Sequence, residues 1–356
     1  MHLTGEDIFA EFKGRNLSYS ADSQALCAMR VSRIQGEIKK YGIGITALQM
    51  MRSIGFIPAS VIYSAKEKKY YSKLTKDEQI ADLQELYYFC GLNDDIMHPS
   101  TFTGKIQWMK FHEDLNVRAR LSDKYAVRQW IKDKIGEQYL IPSLGVWDSV
   151  EEIPFDTLPQ QVVLKANHGS GMNCIIKDKN STDLDKVKKK LNQWLHTSHG
   201  WNGMELQYFL IKRKIVAEEY ISQLDGNLFD YKVHCFHGKP EFLQVIGDRI
   251  PGKHAGRQAN YDFNWNRLPW TFEDYPLFDF ELPRPVCLDD IYIVSKILSE
   301  NFRYVRVDLY VIGDSIKFGE MTFTPGNGMY PYKGTWTKEL DEKYGSMIKI
   351  EDLSEK

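Results

Sequence analysis

Arg306, Asp308 and Tyr310 alternate along residues 304–311, so a strand there puts all three side chains on one face. Gly313-Asp314-Ser315 is a tight-turn sequence, and residues 316–323 are the predicted return strand, with Ile316, Phe318, Glu320 and Thr322 expected on one face. Antiparallel pairing across that turn brings Asp308 and Glu320 into the same space. Neighbouring carboxylates are costly unless a cation neutralises them, and hard oxygen ligands suit Mg²⁺ with phosphate. Arg306 beside them adds a planar donor for phosphate or carboxylate. A plain hairpin with its acids in water fits the alternation equally well, and periodicity alone does not separate the two. Thr324-Pro325-Gly326-Asn327-Gly328 then predicts a loop whose backbone N–H groups can approach a ligand closely.

A second stretch carries glycines rather than acids. Residues 161–166 and 174–177 predict strands around Asn167-His168-Gly169-Ser170-Gly171-Met172-Asn173, a glycine-rich hairpin loop. It is not a P-loop, which needs G-x-x-x-x-G-K-[ST] ahead of a helix, and it lacks the G-x-S-x-G of a serine hydrolase. Taken alone it is equally a flexible turn. Ser122 is placed to N-cap a helix whose apolar stripe is Val127, Trp130, Ile131 and Ile135. Lys124 near that helix start opposes the dipole, which an anion shared by the lysine and the helix end would explain; a surface lysine is the plainer alternative. Lys232 alternates with His234 and Phe236 on one face of a predicted strand. His234 and His237 fall on opposite faces of a strand, so they do not chelate one ion.

The elements that must position these groups follow from period and punctuation. Helices are expected over 24–41, 77–90, 185–195 and 288–301, and further strands over 141–146, 214–221, 230–236 and 241–247. Residues 248–279 read as loops rich in aromatic and basic groups, suited to sugar faces and carboxylates or simply an irregular surface.

At 356 residues, with 43% hydrophobic and 26% charged side chains, the chain has room for two or three packed domains. A net charge of −2 gives no pull toward nucleic acid or anionic membranes. Cys27, Cys90, Cys174, Cys235 and Cys287 are scattered, which argues for a reducing compartment and against a disulfide framework or zinc site. The first fifteen residues lack the apolar core of a signal peptide. The apolar stretch 43–63 contains Gln49, Arg52, Pro58 and glycines, so a buried or partner-facing segment is expected rather than a membrane span. A cytoplasmic location is the expectation.

Taken in order, these motifs resemble the ATP-grasp ligases and, among them, the TupA-like family found with genes for teichuronopeptide and capsular polysaccharide synthesis. The resemblance is carried by Ile106-Gln107-Trp108, Asp123-Lys124-Tyr125, Leu158-Pro159, Val163 through Gly171, Glu218-Glu219-Tyr220, Asp230-Tyr231-Lys232, Val305 through Tyr310, and Glu320-Met321-Thr322-Phe323. It covers about two-thirds of the chain. Thr322 departs from the Asn usual in the ATP-grasp metal signature, although Glu-x-Thr looks like this branch's own form.

The resemblance implies an α+β ATP-grasp fold, two α+β subdomains clamping ATP behind a mainly helical N-terminal region. It implies a helical region at 1–100, a lead-in with the first nucleotide-contacting lysine at 101–160, a small subdomain with the glycine loop at 161–222, a metal and substrate subdomain at 223–340, and a tail at 341–356. ATP would be bound by Lys124, Lys165, His168, Gly169, Ser170, Gly171, Asn173, Glu218, Glu219, Tyr220, Asp225 and Lys232. Mg²⁺ would lie on Asp308, Glu320 and Thr322, with Arg306 and Lys232 acting in catalysis. The implied activity is amide formation from a carboxylate, such as a uronic acid of a surface polysaccharide or its precursor, and an amine such as an amino acid or amino alcohol. A sugar kinase or glycosyltransferase of the same pathway, or a non-catalytic nucleotide-binding protein, are the alternatives. The sequence assigns no nucleic-acid partner and no oligomeric state.

Overall fold

The computed structural model describes residues 71–350 apart from 198–199, 201–202, 222–227, 249–255 and 273–274. The chain divides into two units, Met1–Lys66 and Glu67–Lys356, and the described residues all belong to the second. The expected helix at 24–41, the apolar stretch 43–63 and Asp225 lie outside them.

Helix α1 (Lys76–Phe89) begins where a capping box allows it: Thr75 Oγ1 accepts from the Glu78 N–H at 3.2 Å, and Glu78 accepts from the Thr75 N–H at 2.7 Å. Helix α2 (Phe102–His112) follows, capped by Thr101, and is buried over most of its surface. Helix α3 (Leu115–Ser122) is capped by Asp114, and α4 (Val127–Ile135) comes next. Ser122, expected as the cap of α4, closes α3 instead. Asp123 takes over the local work, accepting from the N–H groups of Tyr125 and Ala126 at 2.8 and 3.2 Å. Both donors meet the one oxygen Oδ1, which also accepts from the Asn167 side-chain amide at 2.9 Å.

Strands β1 (Ser143–Trp147), β2 (Val162–Ala166), β3 (Asn173–Ile176) and β4 (Ile215–Glu219) form an antiparallel sheet in the order β1-β4-β2-β3. Helix α5 (Leu184–His196) places Val187, Leu191 and Trp194 in one apolar cluster with Val162, Leu164, Ile215 and Ala217. Burial of each such side chain stabilises the layer by about 1.5–3 kcal/mol.

The second sheet has five antiparallel strands: β5 (Asp230–Phe236), β6 (Lys239–Gly247), β7 (Arg257–Tyr261), β8 (Tyr304–Ile312) and β9 (Ser315–Thr322), in the order β7-β6-β5-β8-β9. β7 falls inside the stretch read as loops. Helix α6 (Leu288–Ser299) covers one face, where Leu288, Ile291, Val294 and Leu298 cluster with Val233, Val245, Val307 and Leu309. The other face carries Lys232, His234, Arg306 and Asp308, then passes into an aromatic cluster of Phe236, Phe242, Trp270, Tyr304, Trp336 and Tyr344. His234 is stacked on Phe242 at 4.3 Å and bonded to the Tyr304 hydroxyl at 2.8 Å, and burial pushes its pKa well below the ordinary value. It is a neutral core histidine. A last helix, α7 (Lys338–Ser346), buries Asp341 and Tyr344.

The β8–β9 hairpin corrects the expected facing of residues. Asp308 pairs with Glu320, but Leu309 pairs with Phe318, so Gly319 is the extra residue of a bulge. Ile316 and Phe318 therefore enter the apolar core, while Glu320 and Thr322 join Asp308 and Arg306 on the opposite face. Gly319 suits the bulge because a Cβ there would meet the Asp308 carbonyl oxygen at 2.9 Å.

Candidate active site

On the open face of the five-stranded sheet, the alternation of β8 and the register with β5 and β9 gather five side chains. Arg306 donates Nε and Nη2 to the two oxygens of Asp308 at 2.6 and 2.7 Å, and Lys232 donates to the same carboxylate from β5. Arg306 Nη2 also donates to Thr322 Oγ1 at 3.2 Å, and Thr322 Oγ1 lies 3.4 Å from Glu320 Oε1. Burial alone would raise Asp308, but the Arg306 and Lys232 charges outweigh it and hold its pKa below the usual carboxylate value. Glu320 is likewise held low: burial opposes ionisation, and Lys124 at 3.5 Å is the largest of the charges that overcome it.

Lys124 links this face to the glycine loop. Its Nζ donates to the Gly169 carbonyl at 2.8 Å while facing Glu320, and its backbone N–H donates to the Asn167 carbonyl. Within the loop, Asn167 is buried, bonding Asp123 and the Lys212 carbonyl at 2.9 Å each and accepting from the Lys214 N–H at 2.7 Å. His168 is buried beside the Thr197 carbonyl at 3.3 Å. Ser170, Gly171 and Asn173 are exposed, with Gly171 in the left-handed region at φ 69° and open space where a Cβ would go. The loop is thus anchored at its base and free at its tip.

Lys165, one residue inside β2, donates to Glu218 at 2.5 Å, and Arg128 from α4 reaches the other oxygen of Glu218 at 3.1 Å. Glu219 is exposed at the end of β4 and Tyr220 half-buried beyond it. Arg128 was not singled out from the sequence, although it lies one helical turn beyond Lys124 and so was readable as its neighbour.

Lys110 and Glu205 were also missed. Lys110 Nζ donates to Gln107 Oε1 and the Gly203 carbonyl at 2.6 Å each, and to Asn327 O and Oδ1 at 2.9 and 2.7 Å. Burial pulls its pKa down to about 7, partly opposed by Glu205, which in turn accepts from Thr324. These bonds fix the 324–328 loop, where Gly326, Asn327 and Gly328 are all left-handed.

The donor set fits a small hard divalent ion: two carboxylates and a hydroxyl share one face, and the Glu320 side chain keeps 33% exposure. Among the described residues no group of three His, Cys, Asp or Glu side chains is placed to hold a metal. An ion here would complete its shell with water or phosphate oxygens, as Mg²⁺ does.

A family model described as TupA-like ATPgrasp matches residues 104–349. Among solved structures the chain is similar to D-alanine–D-alanine ligase from Bacillus anthracis, with 19% identity over 57% of each chain and a TM-score of 0.36. It is also similar to L-amino acid ligase from Bacillus licheniformis, with 12% identity, 60% of this chain and 43% of that one, and a TM-score of 0.37. D-cycloserine synthetase DcsG gives 12% identity, 75% and 78% coverage, and a TM-score of 0.35. No curated protein matches the chain. With the family match spanning more than half of its length, the chain belongs to the TupA-like ATP-grasp family.

Proposed function

We propose that the protein is an ATP- and Mg²⁺-dependent carboxylate–amine ligase that forms an amide through an acyl phosphate. The observation that carries this reading is Lys124, which joins the Gly169 carbonyl of the glycine loop to Glu320 on the carboxylate face. One lysine at that junction gives a triphosphate a cation midway between a covering loop and a metal-binding face. In this reading the two sheets belong to the two halves that clamp ATP, with the small half at 161–222 and the larger at 223–340. Glu218, Glu219 and Tyr220 lie toward the adenine, and Asp225 reaches the ribose.

A substrate carboxylate oxygen attacks the γ-phosphorus, and the bond from that phosphorus to the bridging oxygen breaks to release ADP. An amine nitrogen then attacks the acyl carbon, phosphate leaves, and the nitrogen loses its proton. Asp308, Glu320 and Thr322 would hold Mg²⁺, which would supply charge neutralisation on the phosphates. Lys232 and Arg306 neutralise charge that spreads over the transferring group, the main requirement of phosphoryl transfer, while Lys165 holds the nucleotide. For Lys232 and Arg306 this means exchanging Asp308 for phosphate oxygens, which would leave the Asp308 carboxylate available as a metal ligand. The exposed tip at Ser170 and Gly171 covers the site and keeps water from the acyl phosphate.

The acceptor in this reading is a uronic acid of a surface polysaccharide or its precursor, and the amine an amino acid or amino alcohol. The protein would act in the cytoplasm, where such precursors and ATP meet. Among the described residues no helix is long and apolar enough to cross a membrane. The test is ADP release from Mg²⁺–ATP with a panel of uronic acids, with and without amines, using Asp308→Asn as the blank. Release that requires both substrates and vanishes in the variant supports the ligase. Release with sugar alone points to a kinase, and ATP binding without release to a non-catalytic protein.

A further inference from the structure

Arg118 lies on α3 away from the carboxylate face. It is buried at 3% exposure, its Nη1 has no hydrogen-bond partner among the described residues, and the charge of Glu113 offsets only part of the cost of burial. Its neighbour is the Phe323 ring, 5.3 Å below the guanidinium carbon, and Phe323 in turn meets Phe302 edge-on at 5.3 Å. Burial pulls the Arg118 pKa down to about 10, so the group is a cation at neutral pH. A buried charge without a counter-ion is unfavourable in a folded protein unless something else supplies the anion.

The same arginine lines a cavity of about 540 Å³ walled by α3, α4 and α6, within the size range of small-molecule sites. Trp130, Leu121, Leu298 and Phe302 give it an apolar body, and Arg120 and Lys134 place two exposed cations at its edge. Its two acids are committed elsewhere. Glu113 pairs with Arg303 at 2.7 Å, and Asp114 accepts from the first N–H groups of α3. The lining therefore presents cations without matching anions beside an apolar wall.

We propose that this cavity binds a small molecule bearing one oxyanion on an apolar or aromatic body, with Arg118 as the counter-charge. The site is separate from the nucleotide face: Phe323 belongs to the apolar cluster behind the sheet, whereas Thr322 before it faces Asp308 and Arg306. The oxyanion is a carboxylate or a phosphate, and the arms of the test distinguish them.

The full chain is titrated, without ATP, with phenylacetate, phenyl phosphate and inorganic phosphate, following Tm and calorimetric heat. One of the two aryl anions is expected to raise Tm saturably, and inorganic phosphate, lacking the apolar body, to bind at least tenfold more weakly. Arg118→Met is expected to abolish the response while melting at or above the parent temperature, since it removes a buried charge that has no ion pair among the described residues. Ile297→Trp, at a 39%-exposed position lining the cavity, is expected to block the response from the other wall, and Asp308→Asn to keep it. The proposal is overturned if neither aryl anion binds saturably, if Arg118→Met or Ile297→Trp responds like the parent, or if Asp308→Asn abolishes the response.

Discussion

On the four-stranded sheet Glu218 is held between Lys165 and Arg128; on the five-stranded sheet Asp308 is held between Arg306 and Lys232. The two clusters look alike and differ in what they leave over. Glu218 faces two cations alone, so that cluster carries a positive surplus close to the glycine loop. Around Asp308 the three cations Arg306, Lys232 and Lys124 are met by Asp308, Glu320 and Asp230, with Lys232 lying 3.9 Å from Asp230. That cluster is balanced. A surplus suits a bare polyphosphate, whereas a balanced cluster accepts a divalent cation only if phosphate arrives with it. On the proposed reading, the first cluster serves nucleotide capture and the second metal-assisted chemistry.

The sharpest way to break that division is to remove one acid from each cluster. Asp308→Asn is expected to cut ADP release by about 100-fold or more, as loss of a group aimed at developing charge does, while ATP binding is kept. Glu218→Gln frees Lys165 and Arg128 and is expected to leave ATP affinity equal or higher. Equilibrium binding of a fluorescent ATP analogue, measured beside ADP release, reads both. If Glu218→Gln abolishes binding and Asp308→Asn spares turnover, the assignment is reversed.

A smaller effect is expected from Lys165→Met. It removes one charge-assisted contact from the surplus cluster, so Kd for ATP should rise about tenfold with turnover at saturating ATP largely retained. A fall in saturated turnover with Kd unchanged would instead put Lys165 on the transferring phosphoryl group.

How far the sequence disclosed these clusters depended on the range of the contacts. Arg306 and Asp308 were legible because a two-residue period fixes a face whatever the partner strand does. The glycine loop was legible from a strand–loop–strand pattern, and Lys165 only from the resemblance. The bulge was not, because strict alternation put Phe318 beside Glu320; the one signal was Gly319 inside a strand, a residue that often marks a bulge. Ser122 was read as a cap, but Asp123 beside it is a residue of the same kind, and only the backbone path decides between them. Lys110 was invisible for a different reason. Its acceptors Gly203 and Asn327 are 93 and 217 residues away, and no local pattern reports such a meeting. Strand β7, reading RQANY, has few β-branched residues and is held by its pairing with β6 rather than by its own propensity.

The smallest expected effect is in stability against pH, and it tests whether cations are what make these buried acids ionise. Asp308 and Glu320 are held below their ordinary values by neighbouring cations. Their contribution is therefore present above the unfolded carboxylate range and is lost as pH falls through the depressed folded values. Asp341 on α7 is buried like Asp308 but meets only neutral donors, the N–H and hydroxyl of Thr103 and the Tyr332 hydroxyl, and burial raises it from 3.8 to about 6. Its sign is opposite: the contribution is full below 3.8 and lost as pH rises through about 6. Urea unfolding of the parent and of Asp341→Asn should therefore diverge between pH 4 and 6, the parent losing on the order of 2–3 kcal/mol relative to the variant. The same comparison with Asp308→Asn should show the parent's advantage shrinking only in strong acid. Parallel curves for Asp341→Asn would mean that hydrogen bonds from neutral donors suffice to keep a buried acid charged here, and the distinction drawn between the two kinds of site would fail.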